Sequence, residues 1–388
     1  MLPFGGSPPV PRPHGRGPHG LHEQEQRHMS PTTSLHELGS GVLDSVHLRG
    51  LIDERLNAFL DAKSGRDTDV HLVSLIEHLR DFLAAGGKRI RPLLCMVGWH
   101  AAGGYGETEP IIGAAASLEL FHAFTLIHDD VMDASDTRRG RPTLHRTLET
   151  GANGTTAERF GTNSAILLGD LVMVWSDELL YSSGLDQQQL VAVRPLLDAM
   201  RTEVMIGQYR DLLSTGQPTA DVERSLAVIR YKTAKYTVER PLHIGAALAG
   251  ADQSLLDVCT AYALPIGEAF QLRDDLLGVF GDPSKTGKST LDDLREGKAT
   301  ALMAHALHTA GTEQARVLRS LVGDPDLDEA GAETVRGVLR ATGAADKVEQ
   351  MITDRVQRAR RVLDEAPFPD EVKKTLDTFV TTTTLRTT

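Results

Sequence analysis

The chain has 388 residues and a formal net charge of -12, from 53 acidic and 41 basic side chains. That balance excludes a general nucleic-acid binder, whose affinity rests on many Lys and Arg contacts to phosphate. Hydrophobic residues at 40% and charged residues at 24% suit a globular chain with a sizeable core, and aromatics at 5% leave that core to Leu, Ala, Val and Ile.

Residues 1–40 stand apart, with seven prolines among the first 31 and glycine and histidine between them. Such a segment lacks the apolar surface to offset its ordering entropy, so a disordered tail is expected there, followed by one domain over 41–388. The N-terminus has neither a basic n-region nor an apolar h-region, so no secretory signal is read. No run of 18 or more apolar residues is found, so no membrane span is expected. Cys95 and Cys259 lie far apart in apolar helical stretches. They read as buried free thiols of a reducing, cytoplasmic compartment.

From about residue 44 the pattern is helical. Leu48, Leu51, Ile52, Leu56, Phe59 and Leu60 recur at three- and four-residue spacings. Helices are expected over 72–83, 111–132, 165–181, 190–213, 222–249, 253–280, 301–321, 330–342 and 348–363. Alternating strand patterns are missing, and breaks such as Gly103-Gly104 and Gly281-Asp282-Pro283 are short. The expected fold is all-α, a single-domain bundle of roughly ten or more helices.

One segment, Ile111 to Asp133, is apolar nearly all round, as a central helix should be. Yet it ends in Asp129, Asp130 and Asp133 and carries His122. Asp129 and Asp133 are one turn apart on one face. Acids at a helix C-terminus oppose the macrodipole, and clustered carboxylates repel unless a cation lies between them. Oxygen ligands few in number suit Mg²⁺ held together with substrate phosphates. A second pair, Asp274-Asp275, ends another apolar stretch, where Arg273 is an alternative partner for it.

Cations come in small knots. Lys88, Arg89 and Arg91 follow two glycines; Arg138, Arg139 and Arg141 follow the first acid cluster; Lys285, Lys288 and Lys298 follow the second. Beside acids they argue for a phosphate-bearing substrate bridged by metal. Gly281 to Ser289 is not a P-loop: five residues, not four, separate its glycines and no strand precedes it.

These segments resemble the trans-isoprenyl diphosphate synthases, or polyprenyl synthetases, across about residues 45–380. The likeness rests on GGKRIRP (86–92), LELFHAFTLIHDDVMDASDTRRGRPT (118–143), LLGD (167–170), GQ (207–208), KTA (232–234), FQLRDD (270–275) and GKSTLDDLREGKAT (287–300). The resemblance implies an isoprenoid synthase fold around a central cavity, joining isopentenyl diphosphate to an allylic diphosphate. It implies three Mg²⁺ ions, two on Asp129 and Asp133 with Asp130 in support, and one on Asp274. Arg138, Lys232 and Lys288 would clamp the allylic diphosphate, with Lys298 and Gln271 nearby. Lys88, Arg91, His122 and Arg139 would bind isopentenyl diphosphate. Thr233, Gln271 and the Lys232 backbone would steady the allylic cation. A homodimer is also implied. The chain departs from D-D-x-x-D at its second cluster, where residue 278 is glycine; Asp282 is the expected substitute.

Product length is tied in this family to bulky residues before the first Asp. Phe121, Phe124 and Thr125 lie eight, five and four residues before Asp129, with Phe121 about 12 Å below it. The helical wheel places Thr125 nearer the Asp129 face than Phe124 and does not settle which residue stops the chain. Phe124 without a second aromatic at 125 is most like geranylgeranyl (C20) synthases, with farnesyl (C15) as the second product. A class I terpene cyclase would carry an Asn/Ser/Glu triad as its second cluster and would not need Lys88, Arg91 and His122. A non-catalytic subunit of a heteromeric synthase would have lost aspartates or basic knots.

Overall fold

Most of the expected periodicity is realised as helix. A computed structural model describes residues 43–66, 69–149, 156–282 and 289–384. The proline-rich segment over 1–40, together with Lys285 and Lys288, lies outside the described residues. Helices α1 (Ser45–Arg66), α2 (Val70–Ala84) and α3 (Ile90–Ala101) precede the central α4 (Glu109–Met132). A small antiparallel hairpin pairs Arg138 with Arg141 and leads to α5 (Leu144–Leu148) and α6 (Ala157–Tyr181). Next come α7 (Gln187–Leu212), α8 (Val222–Val228), a π-helical segment (Ile229–Glu239), α9 (Arg240–Leu248) and α10 (Gln253–Phe280). The chain closes with α11 (Asp292–Arg295), α12 (Ala301–Thr309), α13 (Thr312–Leu321), α14 (Glu329–Ala341), α15 (Ala344–Glu365) and α16 (Asp370–Thr384).

Local chemistry sets several boundaries. Asp186 caps α7 by accepting from the Gln189 amide at 2.8 Å, while the Gln189 side chain accepts from the Asp186 amide. The single helix expected over 301–321 is two. Ala310 is extended, and the Gly311 amide donates to the Gln314 side chain at 3.0 Å, which starts α13 afresh. Four helices were not expected, the short α5 and α11 and the longer α3 and α16. The α3 segment IRPLLCMVGWHA is apolar on most sides, so no face stands out, and Pro92 sits in its first turn where proline is tolerated. The C-terminal α16 ends in threonines of modest propensity, yet Val372, Leu376 and Val380 are buried and tertiary packing decides.

Two apolar clusters form the core. One gathers α1, α2, α4, α6 and α7, and the other α10 with α12 to α16; α3 and the run from the π segment into α9 contribute to both. Helix α4 is long and apolar enough to cross a membrane, but 78% of its apolar window is buried inside the fold, as in a core helix. The π segment is pressed between two neighbours. A Cβ on Gly207 of α7 would lie 2.4 Å from the Lys232 amide nitrogen, and one on Gly267 of α10 would lie 2.6 Å from the Ala234 Cα. Only glycine permits backbones to approach so closely. This seam, where α4, the π segment and α10 meet, carries the acids and cations singled out from the sequence. Both cysteines are buried free thiols, pushed up to about 12 by burial.

Candidate active site

Asp129 leaves the last turn of α4 toward the π segment, where Lys232 Nζ donates to it at 3.0 Å. The same ammonium donates to Asp211 of α7 at 2.7 Å. Burial pushes the Asp129 carboxyl up, but Lys232 and Arg138 outweigh it and hold the group below its ordinary value. Arg138, from the hairpin, donates through Nε to Asp130 at 2.7 Å and lies 3.7 Å from Asp129. Asp130 is therefore the anchor that aims Arg138. Its second oxygen is buried with no hydrogen-bond partner among the described residues. Asp133 caps the helix and is pushed up to about 7, by burial and by the neighbouring Asp129 charge.

The second cluster faces the first across the π segment. Thr233 donates to Gln271 at 2.8 Å, and Gln271 donates onward to Asp275 at 2.9 Å. Asp275 is buried and pushed up to about 8 by that burial; the Gln271 bond opposes the rise, while Asp293 and Asp274 add to it. Asp274 is half-buried beside it. Arg273 turns away to Glu349, at 2.6 and 2.7 Å, so it does not neutralise this pair. The Lys298 ammonium, 2.9 Å from both Asp293 and Glu296, draws Asp129, Asp133 and Asp275 downward alike. Lys298 is thus a cation whose charge acts on both clusters.

Gly278 acquires a reason. A Cβ there would lie 2.0 Å from Asp293 Oδ2, so the Asp293 carboxylate fills the room an aspartate at 278 would need. The nearest side chain to position 278 is thus Asp293, from the segment after the second cluster.

A basic wall stands lower on α4. His122 is seven residues before Asp129, and its Nδ1 is 3.3 Å from both Thr125 Oγ1 and the Tyr236 hydroxyl. Burial, then the charges of Arg91, Arg139, Arg138 and Arg89, hold His122 well below the usual histidine range, so it is neutral at pH 7. Arg91 donates to Thr237 at 2.6 Å and stacks 4.1 Å from the Tyr236 ring centre. Arg139 sits at φ +54° in the hairpin turn, is lowered by burial and by Arg138 and Arg89 against the opposing charge of Glu119, and has no ion-pair partner among the described residues. A poorly compensated guanidinium is suited to an arriving anion. Lys88 is exposed on the preceding turn. Its neighbour Arg89 points inward instead, bonding Asp53 at 2.9 Å, Glu119 at 2.8 Å and the Leu83 carbonyl, and so serves the fold.

Below the acids, Phe121 is fully buried and packs on Phe124 at 5.3 Å and Tyr236 at 6.0 Å. Thr125 lies 3.2 Å from the Tyr236 hydroxyl. Phe124 instead turns toward His128, 4.8 Å away, on the α6 side. Phe121 and Thr125 thus face the π segment, while Phe124 backs them.

Asp211, Tyr236, Asp293 and Glu296 were not singled out from the sequence. Each is a partner of a residue that was, and only the fold shows the pairing. The donors around the acid clusters are oxygens. No three His, Cys or acidic groups converge as a ready-made cage among the described residues. Two carboxylates one turn apart, one raised by the other, and an orphaned Asp130 oxygen fit a hard divalent cation that completes its shell with phosphate.

Comparison with known proteins identifies the family. A model of the polyprenyl synthetase family matches residues 73–338. A geranylfarnesyl diphosphate synthase of Aeropyrum pernix is 34% identical over 76% of this chain and 88% of its own. A geranylgeranyl diphosphate synthase of Mycobacterium tuberculosis is 34% identical over 73% and 77%. The solved geranylgeranyl pyrophosphate synthase of Corynebacterium glutamicum, complexed with isoprenyl diphosphate and magnesium, superposes with a TM-score of 0.83 at 41% identity, covering 87% of this chain and 98% of that one. The chain therefore belongs to the polyprenyl synthetase family and is a prenyltransferase of the isoprenyl diphosphate synthase kind.

Proposed function

We propose that this chain makes geranylgeranyl diphosphate (C20) by adding isopentenyl diphosphate to an allylic diphosphate, with Mg²⁺ as cofactor. The observation that carries the reading is the facing of two acid clusters across Lys232 and Lys298, with the Arg91–His122–Arg139 wall beneath. Asp129 and Asp133 on one side, and Asp274 on the other, would hold three Mg²⁺ ions. When bound, the metal supplies Lewis-acid neutralisation of the departing pyrophosphate. Arg138, Lys232, Lys298 and Lys288 add fixed positive charge to the same group. Arg91, Arg139, Lys88 and the neutral His122 orient the isopentenyl diphosphate, so that its double bond meets the allylic C1 as the C–O bond breaks. The Thr233 and Gln271 oxygens and the Lys232 backbone steady the allylic cation. The proton lost from the condensed product passes to the pyrophosphate, so no protein nucleophile is required.

Phe121, backed by Phe124 and flanked by Thr125, would close the pocket for the growing chain. A homodimer is part of this reading. Phe160, Leu167, Val174 and Tyr181, spaced by seven residues, form an exposed stripe along α6, a seam suited to helix packing. The two buried free thiols support a cytoplasmic location. The prenyltransferase domain is proposed over 41–388.

Calorimetry with inorganic pyrophosphate tests the site. Binding should require Mg²⁺, and D129N and D274N should each weaken it at least about tenfold, a loss of about 1.4 kcal/mol. Metal-independent binding of equal strength in all three proteins would reject it.

A further inference from the structure

Beneath Phe121 lies a charged pair that the proposed chemistry does not use. Arg201 of α7 bonds Asp177 of α6. The Arg201 guanidinium carbon is 5.6 Å from the centre of the Phe121 ring. Its Nε is buried with no hydrogen-bond partner among the described residues. Beyond it, Arg201 lines a cleft between α6 and α7 with Leu180, Leu190, Val193 and Leu197.

We infer that the Arg201–Asp177 ion pair is the lower wall of the elongation pocket and a second determinant of product length, behind Phe121. The inference rests on the reading of Phe121 as the pocket floor. The product tail is hydrocarbon, and each turnover drives it one isoprene unit deeper. A tail that displaced the Phe121 ring would next meet a guanidinium and a carboxylate. Passing them would separate a partly buried ion pair and place alkyl groups against desolvated charge. Past the pair the cleft is lined mainly by aliphatic side chains, with Gln187, Arg194 and Asp198 also on it, so this pair is the partition between the floor and a mostly apolar cleft. The cation also holds the ring itself, through the attraction of a positive charge for an aromatic face.

Four variants turned over with isopentenyl and farnesyl diphosphates test this: F121A, R201M, F121A/R201M and R201K. The dephosphorylated products are separated by chain length, a readout that general loss of stability does not shift. R201M alone should raise the ratio of products longer than C20 by roughly two- to fivefold, the worth of a cation–π contact. F121A should lengthen the product, and F121A/R201M should exceed F121A by about tenfold in the ratio of the longest products to C20, the effect of removing a barrier of roughly 1.4 kcal/mol. R201K, which keeps the charge, should keep the parent distribution. A double variant matching F121A would overturn the role of Arg201 while leaving Phe121 as the floor. Unchanged products in F121A itself would overturn the floor, and this inference with it.

Discussion

Replacing Gly278 with aspartate restores the spelling D-D-x-x-D over residues 274–278, and on motif grounds it should help metal binding. The geometry predicts the opposite. A Cβ at 278 lies 2.0 Å from Asp293 Oδ2 and 3.0 Å from its Cγ. Comfortable contact begins near 3.4 Å, so Asp293 must move by more than about 1 Å. It is not a loose end, because its Oδ1 holds Lys298 at 2.9 Å and its carbonyl accepts from the Lys298 amide. The new side chain also brings a further carboxylate toward Asp275, already pushed up to about 8. Overpacking alone costs roughly 1–3 kcal/mol, and crowded like charge adds to it. Displacing Lys298 by about 1 Å misplaces a cation of the site, an error worth up to roughly a hundredfold in rate. G278A isolates the steric part and G278D adds the charge. Thermal melts should fall in the order parent, G278A, G278D, and kcat/KM should fall in the same order. D293G introduced into G278D should recover part of both. A G278D protein as stable and as active as the parent would refute this reasoning.

Lys232→Met removes the cation shared by Asp129 and Asp211. It should cut kcat/KM by at least about a hundredfold, as loss of a preorganised electrostatic partner does, with the fold retained by circular dichroism. Arg89→Met strands the buried Glu119 and should cost roughly 3–5 kcal/mol in denaturant unfolding. Asp133 and Asp275 sit at about 7 and about 8, above the ordinary carboxylate range. The stability they contribute is therefore present at acid pH and lost as pH rises through those values. Metal-free protein should melt lower at about pH 8.5 than at about pH 5.5, and Mg²⁺ with inorganic pyrophosphate should narrow the gap. A metal-free melting temperature that rises across that window would contradict the two shifts. Phe124→Ala should lengthen the product less than Phe121→Ala, because Phe124 packs toward His128 and not toward the π segment.

The sequence made some levels of this structure legible and not others. Amphipathic spacing marked α1, α2 and α10, since one face of each is buried. It overlooked α3, whose residues are apolar on most sides, and it joined α12 to α13 because a single Gly311 does not disturb helical periodicity. Asp129, Asp133 and Lys232 could be named from their residue types and order. Their partners could not: Asp211 meets Lys232 only because Gly207 lets α7 press on the π segment. Gly278 looked like a missing ligand, and only the fold shows Asp293 in its space. The knot at Lys88, Arg89 and Arg91 looked uniform in sequence. Burial divides it, turning Arg89 into the core and leaving Arg91 to Tyr236. The π segment was read as part of one helix over 222–249, because no residue type in it marks the i to i+5 bonding.

The most direct measurement is primer extension with isopentenyl diphosphate, Mg²⁺ and, in turn, dimethylallyl, geranyl, farnesyl and geranylgeranyl diphosphates, followed by chromatography of the dephosphorylated products. The first three primers should all end at C20, and geranylgeranyl diphosphate should be left unextended. Accumulation of C15 from the shorter primers, efficient extension past C20, or no product from any primer would contradict a C20 synthase closed by Phe121.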